Sequence, residues 1–160
     1  MKNRQSLKSA LPRKLIVLLF VFFCMACAQY SQYSIGERQE DLQAKIHQFN
    51  KRFEAKMMDL SAAYLPLNKR RQFLIDSLKI KENVAFYDSS VLDVQLFNND
   101  LPVQIKSNGP GTEFNKAIVT MRYQMSLLPS NQVKTIIVDQ QWLLEDEEWF
   151  VDPRLDKFFK

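Results

Sequence analysis

Cys24 and Cys27 stand in the C-x-x-C spacing that holds metals or performs dithiol redox chemistry in folded domains. Both lie within or against an apolar segment, and the remaining 133 residues contain no cysteine. A metal site needs further ligands, yet His47 is the only histidine; a redox pair needs a βαβ unit beside it. The sequence supplies neither. Glu145-Asp146-Glu147-Glu148 groups four acids, but a calcium cage takes six or more oxygens from a shaped loop. Four acids at a hairpin tip read as a solvated turn, so no metal is expected. Trp142 and Trp149 are either the aromatic walls of a small-ligand pocket or packing residues at strand period. No Gly-rich phosphate loop, G-x-S-x-G or H-E-x-x-H occurs, and no cofactor is expected.

What surrounds the cysteines suggests another use for them. The chain has 160 residues, room for one domain, with the 46% apolar and 25% charged composition of a globular protein. Its formal charge of +4 would suit nucleic acid, but the charge is not spread evenly. Lys2, Arg4, Lys8, Arg13 and Lys14 precede Leu15 with no acid among them. Removing these five from 22 leaves 17 basic against 18 acidic groups, so a nucleic-acid partner is not expected. A positive region, the unbroken apolar run Leu15 to Phe23, then small Ala26 and Ala28 follow the order of a secretory signal. The apolar run is shorter than the ~20 residues of a permanent transmembrane helix. Met25-Ala26-Cys27 resembles the lipobox of bacterial lipoproteins, although leucine is usual where Cys24 stands. That resemblance implies cleavage before Cys27 and lipid attachment at Cys27; the alternative is soluble release after Ala28, into the periplasm or medium. In such lipoproteins a non-Asp residue after the cysteine goes with the outer membrane, facing the periplasm, and Ala28 fits. Residues 1–27 are then a signal peptide, 28–36 a flexible tether of about 15 Å reach, and 37–160 one domain.

In that domain Leu42, Ile46, Phe49, Phe53, Met57 and Leu60 recur at spacings of 4, 3, 4, 4 and 3, predicting one helix from about 37 to 63. His47 sits just off this stripe, solvated or at the core edge. Pro66 starts a second helix whose face is Leu67, Arg71, Leu74 and Leu78. Its Lys69-Arg70-Arg71 cluster is either a solvated face or a contact for anionic head groups. From Glu82 the period becomes 2. Val84, Phe86, Leu92, Val94 and Leu96 alternate with polar residues around Asp88-Ser89-Ser90, a turn or bulge. Leu101, Val103 and Ile105 allow a short extension, and Ser107-Asn-Gly-Pro-Gly is a strong turn. Val119, Met121, Tyr123, Met125 and Leu127 share one strand face, as do Ile136, Val138, Trp142 and Leu144 on the next. A two-residue turn at Asp146-Glu147 would set Leu144 opposite Trp149 and Trp142 opposite Val151, placing all four on one face. Asp-Glu is poor chemistry for such a primed turn, which leaves a longer loop open. Pro153 ends the last strand. The expectation is an α+β fold: a long N-terminal helix packed on a curved antiparallel sheet of about four strands.

The helical front, the alternating strands and the closing Gln-Trp-Leu-Leu-Glu-Asp-Glu-Glu-Trp-Phe-Val-Asp-Pro resemble the cone-shaped cystatin-like group, and within it the nuclear transport factor 2-like superfamily. Glu147 stands where that family usually has glycine. The resemblance implies a cone over roughly residues 37–153, and a function drawn from enzymes, pocket binders or interaction modules. Enzymes of this kind place a carboxylate or histidine inside the cone beside a tyrosine or aspartic acid. Asp88, in phase with Val84 and Phe86, and Tyr123 would be that pair for proton transfer beside a carbonyl; otherwise Asp88 marks a bulge and Tyr123 is core. The leading expectation is a non-enzymatic envelope lipoprotein. It would be held to the membrane through Cys27 and would bind an envelope protein, an apolar ligand or a second copy through its sheet. The alternative is a cone-fold binder or enzyme using Asp88 and Tyr123.

Overall fold

A computed structural model describes residues 36–103 and 113–159. The basic leader, Cys27, the tether to residue 35, and Ile105 with the glycine-rich turn lie outside the described residues. The first helix (α1) is described over residues 36–54 and buries Leu42, Ile46, Phe49 and Phe53, the first four members of the expected stripe.

It stops about two and a half turns earlier than the periodicity predicts. Lys56 takes a left-handed conformation (φ 56°). Its N–H bonds the Phe53 carbonyl at 3.0 Å, and the Met57 N–H bonds the Arg52 carbonyl at 2.9 Å. This pair of bonds is a Schellman stop, usually made by glycine. The interruption shifts the buried face by one residue. In α2 (Met58–Ala62), Met58, Ser61 and Ala62 point inward, while Met57 and Leu60 of the expected stripe are half exposed.

Helix α3 (Leu67–Asn83) follows Pro66, which occupies the N-cap position. It runs five residues past the expected end and passes directly into the first strand. The Arg70 guanidinium closes the connection by donating to the carbonyls of Leu65 (2.8 Å) and Ala63 (3.1 Å). α3 carries apolar residues on two faces, and the core takes Phe73, Ser77 and Ile80. The expected face, Leu67, Arg71, Leu74 and Leu78, points largely to solvent. Burying an aromatic ring removes more apolar area from water than burying a leucine, so Phe73 decides the helix rotation.

The sheet has five antiparallel strands rather than about four: β1 (Val84–Asn98), β2 (Leu101–Val103), β3 (Lys116–Leu127), β4 (Lys134–Glu145) and β5 (Glu148–Asp152), in the order β2-β1-β3-β4-β5. The expected extension after Asp100 is the short strand β2. One face of β3 is buried throughout, from Ala117 through Val119, Met121 and Tyr123 to Met125, as its alternation predicts. Phe158 of the 3-10 helix Leu155–Phe159 closes the core against Phe53, Phe86 and Tyr123, with ring centroids 5.2–5.8 Å away. Among the described residues no helix is long and apolar enough to cross a membrane.

The last hairpin has the expected register, Leu144 opposite Trp149 and Trp142 opposite Val151. Its turn has two residues, Asp146 (φ 48°) and Glu147 (φ 64°), both left-handed, a region that aspartate tolerates and glutamate does not favour. Left-handed backbone costs a non-glycine residue roughly 1–2 kcal/mol. Glu147 is highly exposed, so its 3.8 Å ion pair with Arg38 contributes little. Glu147→Gly is therefore expected to raise stability by about 1 kcal/mol, part of the strain relief being offset by a freer unfolded chain. A rise in the urea midpoint at unchanged slope checks this.

Candidate functional site

Two β-bulges decide where the candidate residues of β1 point. Against β3, Phe86 pairs with Met125 and Asp88 with Gln124, which leaves Tyr87 as an extra residue; Val91 pairs with Met121 and Asp93 with Thr120, which leaves Leu92. An extra residue reverses the facing of everything after it, and a second restores it. The inward series is therefore Val84, Phe86, Ser89, Val91, Val94 and Leu96. Leu92, expected inward, and Asp88, read either as inward or as the mark of a bulge, lie outside that series.

Asp88 is consequently on the solvent face, where the Arg122 guanidinium approaches its carboxylate at 3.3 Å. Tyr123 lies on the opposite face and is fully buried. The structure does not bring these two side chains together, because one residue of slippage separates them across the sheet. Trp142 and Trp149 are likewise core residues rather than pocket walls. Trp142 packs edge-on against Phe49 (5.9 Å) and Trp149 stacks on Phe114 (5.8 Å).

Tyr123 belongs instead to a buried polar network that ties α1 to the sheet. Its hydroxyl donates to Asn50 Oδ1 at 2.5 Å and accepts from Gln140 Nε2 at 2.9 Å. Gln140 Nε2 also donates to Asn50 Oδ1 (2.7 Å), the Trp142 indole N–H donates to Gln140 Oε1 (3.3 Å), and Asn50 Nδ2 donates to the Ile46 carbonyl (2.9 Å). Burial pushes the Tyr123 hydroxyl above the ordinary tyrosine value, the Glu54 charge adds to the rise, and the Gln140 hydrogen bond offsets part of it. The hydroxyl is a fixed donor, which suits a structural role better than proton transfer.

The open space lies beside this network. A groove of about 490 Å³ separates α1 from the inner face of β1. Ile46, Val91, Val94 and Met121 form its apolar lining; His47 and Lys51 stand at its rim, and Asn50 and Glu54 line it further along the helix. The Ser89 hydroxyl, turned inward by the first bulge, donates to the Glu54 carboxylate across the groove. A second hollow of about 420 Å³ continues the trough past Gln43 and Val94 toward β2. Among the described residues the outer edge of β1 is paired only over Leu96–Asn98. An apolar floor, a few polar groups and an open strand edge suit an extended chain that adds to the sheet while seating alternate side chains.

Glu54, Ser89, Asn50 and Gln140 were not among the sequence candidates. Gln140 had a signal, since it is polar at a position in phase with Val138 and Trp142; Asn50 had another, lying four residues beyond Ile46. Ser89 had none, because its facing depends on the bulge. No group of three or more potential metal ligands occurs among the described residues. Compared with protein-family models, curated proteins and solved structures, the chain matches none.

Proposed function

We propose that this chain is an exported envelope lipoprotein, held through Cys27 at the outer membrane, whose nuclear transport factor 2-like domain is a non-catalytic interaction module. In this reading the domain receives an extended segment of an envelope protein in the α1–β1 groove. The observation that carries it is the apolar groove beside an edge of β1 that no described strand covers before Leu96. There Ser90, Val91 and Val94 line the hollow while the strand's outer backbone groups lack a neighbouring strand among the described residues. The separation of Asp88 from Tyr123 supports a non-catalytic role. The two bulges support the cone-like, cystatin-type shape, because each bends its strand and increases the local twist.

A second reading has one specific observation in its favour. The Glu54–Ser89 pair sits among apolar side chains in a hollow whose size falls within the range of small-ligand sites. A ligand with an apolar body and one hydrogen-bonding end would fit it.

Two measurements test the proposal. Growth with radioactive fatty acid should label the wild-type chain and leave Cys27→Ser unlabelled; an unlabelled wild type refutes the anchor. A photo-crosslinking residue at Val91 should give one discrete protein adduct in intact envelopes, while the same residue at Ile137 on the solvent face gives none. Equal yields from both positions refute the groove as the docking site. Competition by a small apolar molecule, without any protein adduct, favours the second reading.

A further inference from the structure

The rotation of α3 leaves a second apolar face unburied. Leu67, Ile75 and Leu78 are 79%, 51% and 53% exposed. At 3.6 residues per turn they fall with Arg71 within roughly 80° of arc, spread over about 16 Å of helix. Lys79 flanks this arc on one side and Lys81 on the other, both exposed. α3 carries five basic residues (Lys69, Arg70, Arg71, Lys79, Lys81) against Asp76 and Glu82. Asp76 is turned away, engaged by the Gln72 amide at 2.9 Å, whereas exposed Glu82 falls inside the arc, between Arg71 and Ile75. The preceding segment runs antiparallel alongside, since Lys56 Nζ donates to the Lys81 carbonyl (2.9 Å) while Arg70 takes those of Ala63 and Leu65. That segment contributes half-exposed Met57 and Leu60.

We infer that this face of α3 is a membrane-docking surface that lies flat on an anionic phospholipid interface. Leu67, Ile75 and Leu78 enter the head-group boundary while Arg71, Lys79 and Lys81 meet phosphate. Exposed apolar side chains along the helix axis, with Arg71 among them and Lys79 and Lys81 on either side outnumbering Glu82, have the chemistry of an interfacial helix. A second copy is the poorer occupant, because the face carries Arg71, Lys79 and Lys81 against Glu82 alone, and pairing it with itself leaves an excess of like charge. The cations fit an anionic surface. Docking rests on the proposed function only in that it requires the domain to be delivered to a membrane. It would fix the orientation of the domain, which a flexible tether alone does not.

The test uses the full chain with vesicles of phosphatidylglycerol and phosphatidylcholine carrying a lipid-borne photoreactive probe, the labelled sites being mapped by mass spectrometry. Sedimentation with vesicles reports on the N-terminal anchor, and labelling of α3 reports on this face, so the two readings fail separately. Docking is expected to label α3 well above the β4 peptide bearing Ile137, which is 61% exposed and serves as the internal reference. Joint replacement Ile75→Ser and Leu78→Ser should reduce α3 labelling about tenfold with helix content unchanged, these being surface positions. Arg71→Ala with Lys79→Ala should reduce it on anionic vesicles. Labelling of α3 no greater than that of Ile137 overturns the inference even if the chain sediments. Equal labelling on purely neutral vesicles overturns the anionic assignment. A lipid-free dimer dissolved by the two serine replacements would assign the face to a second copy instead.

Discussion

Phe53→Ala is expected to destabilise the domain by about 3–5 kcal/mol, the cost of emptying a large buried aromatic site that collapses poorly. Phe53 is the hub of the core. Its ring lies 5.7 Å from Phe49, 5.5 Å from Phe86, 5.5 Å from Phe158 and 6.3 Å from Tyr123. These neighbours come from α1, β1, the 3-10 helix and β3, so one truncation loosens four elements at once. A domain of this size has roughly 5–15 kcal/mol in total, so the variant would sit at the margin of folding. Urea denaturation should show a large fall in midpoint with an unchanged slope. A loss below about 1 kcal/mol would mean that Phe53 is not at the centre of the packing. Phe53→Leu, which keeps much of the volume, should cost substantially less.

Asn50→Ala is expected to cost about 2–4 kcal/mol, more than its size alone suggests. Asn50 Oδ1 accepts from both the Tyr123 hydroxyl and Gln140 Nε2, and its amide satisfies the Ile46 carbonyl. Alanine strands a buried hydroxyl donor, which then bears its desolvation cost uncompensated. Tyr123→Phe removes donor and acceptor together and should cost less. The pair also gives a pH signature. The Tyr123 hydroxyl lies above its ordinary value of 10.0 in the fold, chiefly through burial. Its contribution is therefore intact below about pH 10 and is lost as pH rises further, because the unfolded chain releases this proton first. The loss should approach ~1.4 kcal/mol per pH unit. Stability measured between about pH 9 and pH 11 should fall faster for the wild type than for Tyr123→Phe. Parallel curves would show that Tyr123 is not held protonated by the fold.

Much of the sheet was legible because a strand period of 2 is a simple signal when nothing interrupts it. β3 alternates over its whole length, and the β4–β5 hairpin was specified twice, by alternation and by the pairing that a two-residue turn imposes. What misled was the exact residue at which a pattern is interrupted. Lys56 stops α1 where glycine would be usual, so the stripe through Met57 and Leu60 looked continuous. Tyr87 and Leu92 are bulged residues; Asp88-Ser89-Ser90 signals a turn or bulge in the sequence but does not say which residue is the extra one, and nothing signals the second bulge. Because the bulges cancel, Val84, Phe86, Val94 and Leu96 were placed correctly while Leu92 was placed on the wrong face and Asp88 was left between an inward site and a bulge. α3 was ambiguous for another reason: it has two apolar faces, and periodicity cannot say which one the core takes.

The sequence by itself determined the order of elements, helices before an antiparallel sheet, the buried face of β3 and the pairing of the final hairpin. These follow from local periodicity and short-range connection, which act along the chain and need no distant partner. Only the tertiary structure decided which residues form the groove, which face of α3 is left to solvent, and that Tyr123 joins a buried network on the face opposite Asp88. Those outcomes turn on single-residue offsets between segments far apart in sequence. At one residue of slip a side chain changes sides of the sheet, so Asp88 faces Arg122 in solvent and Ser89 takes the place facing Glu54.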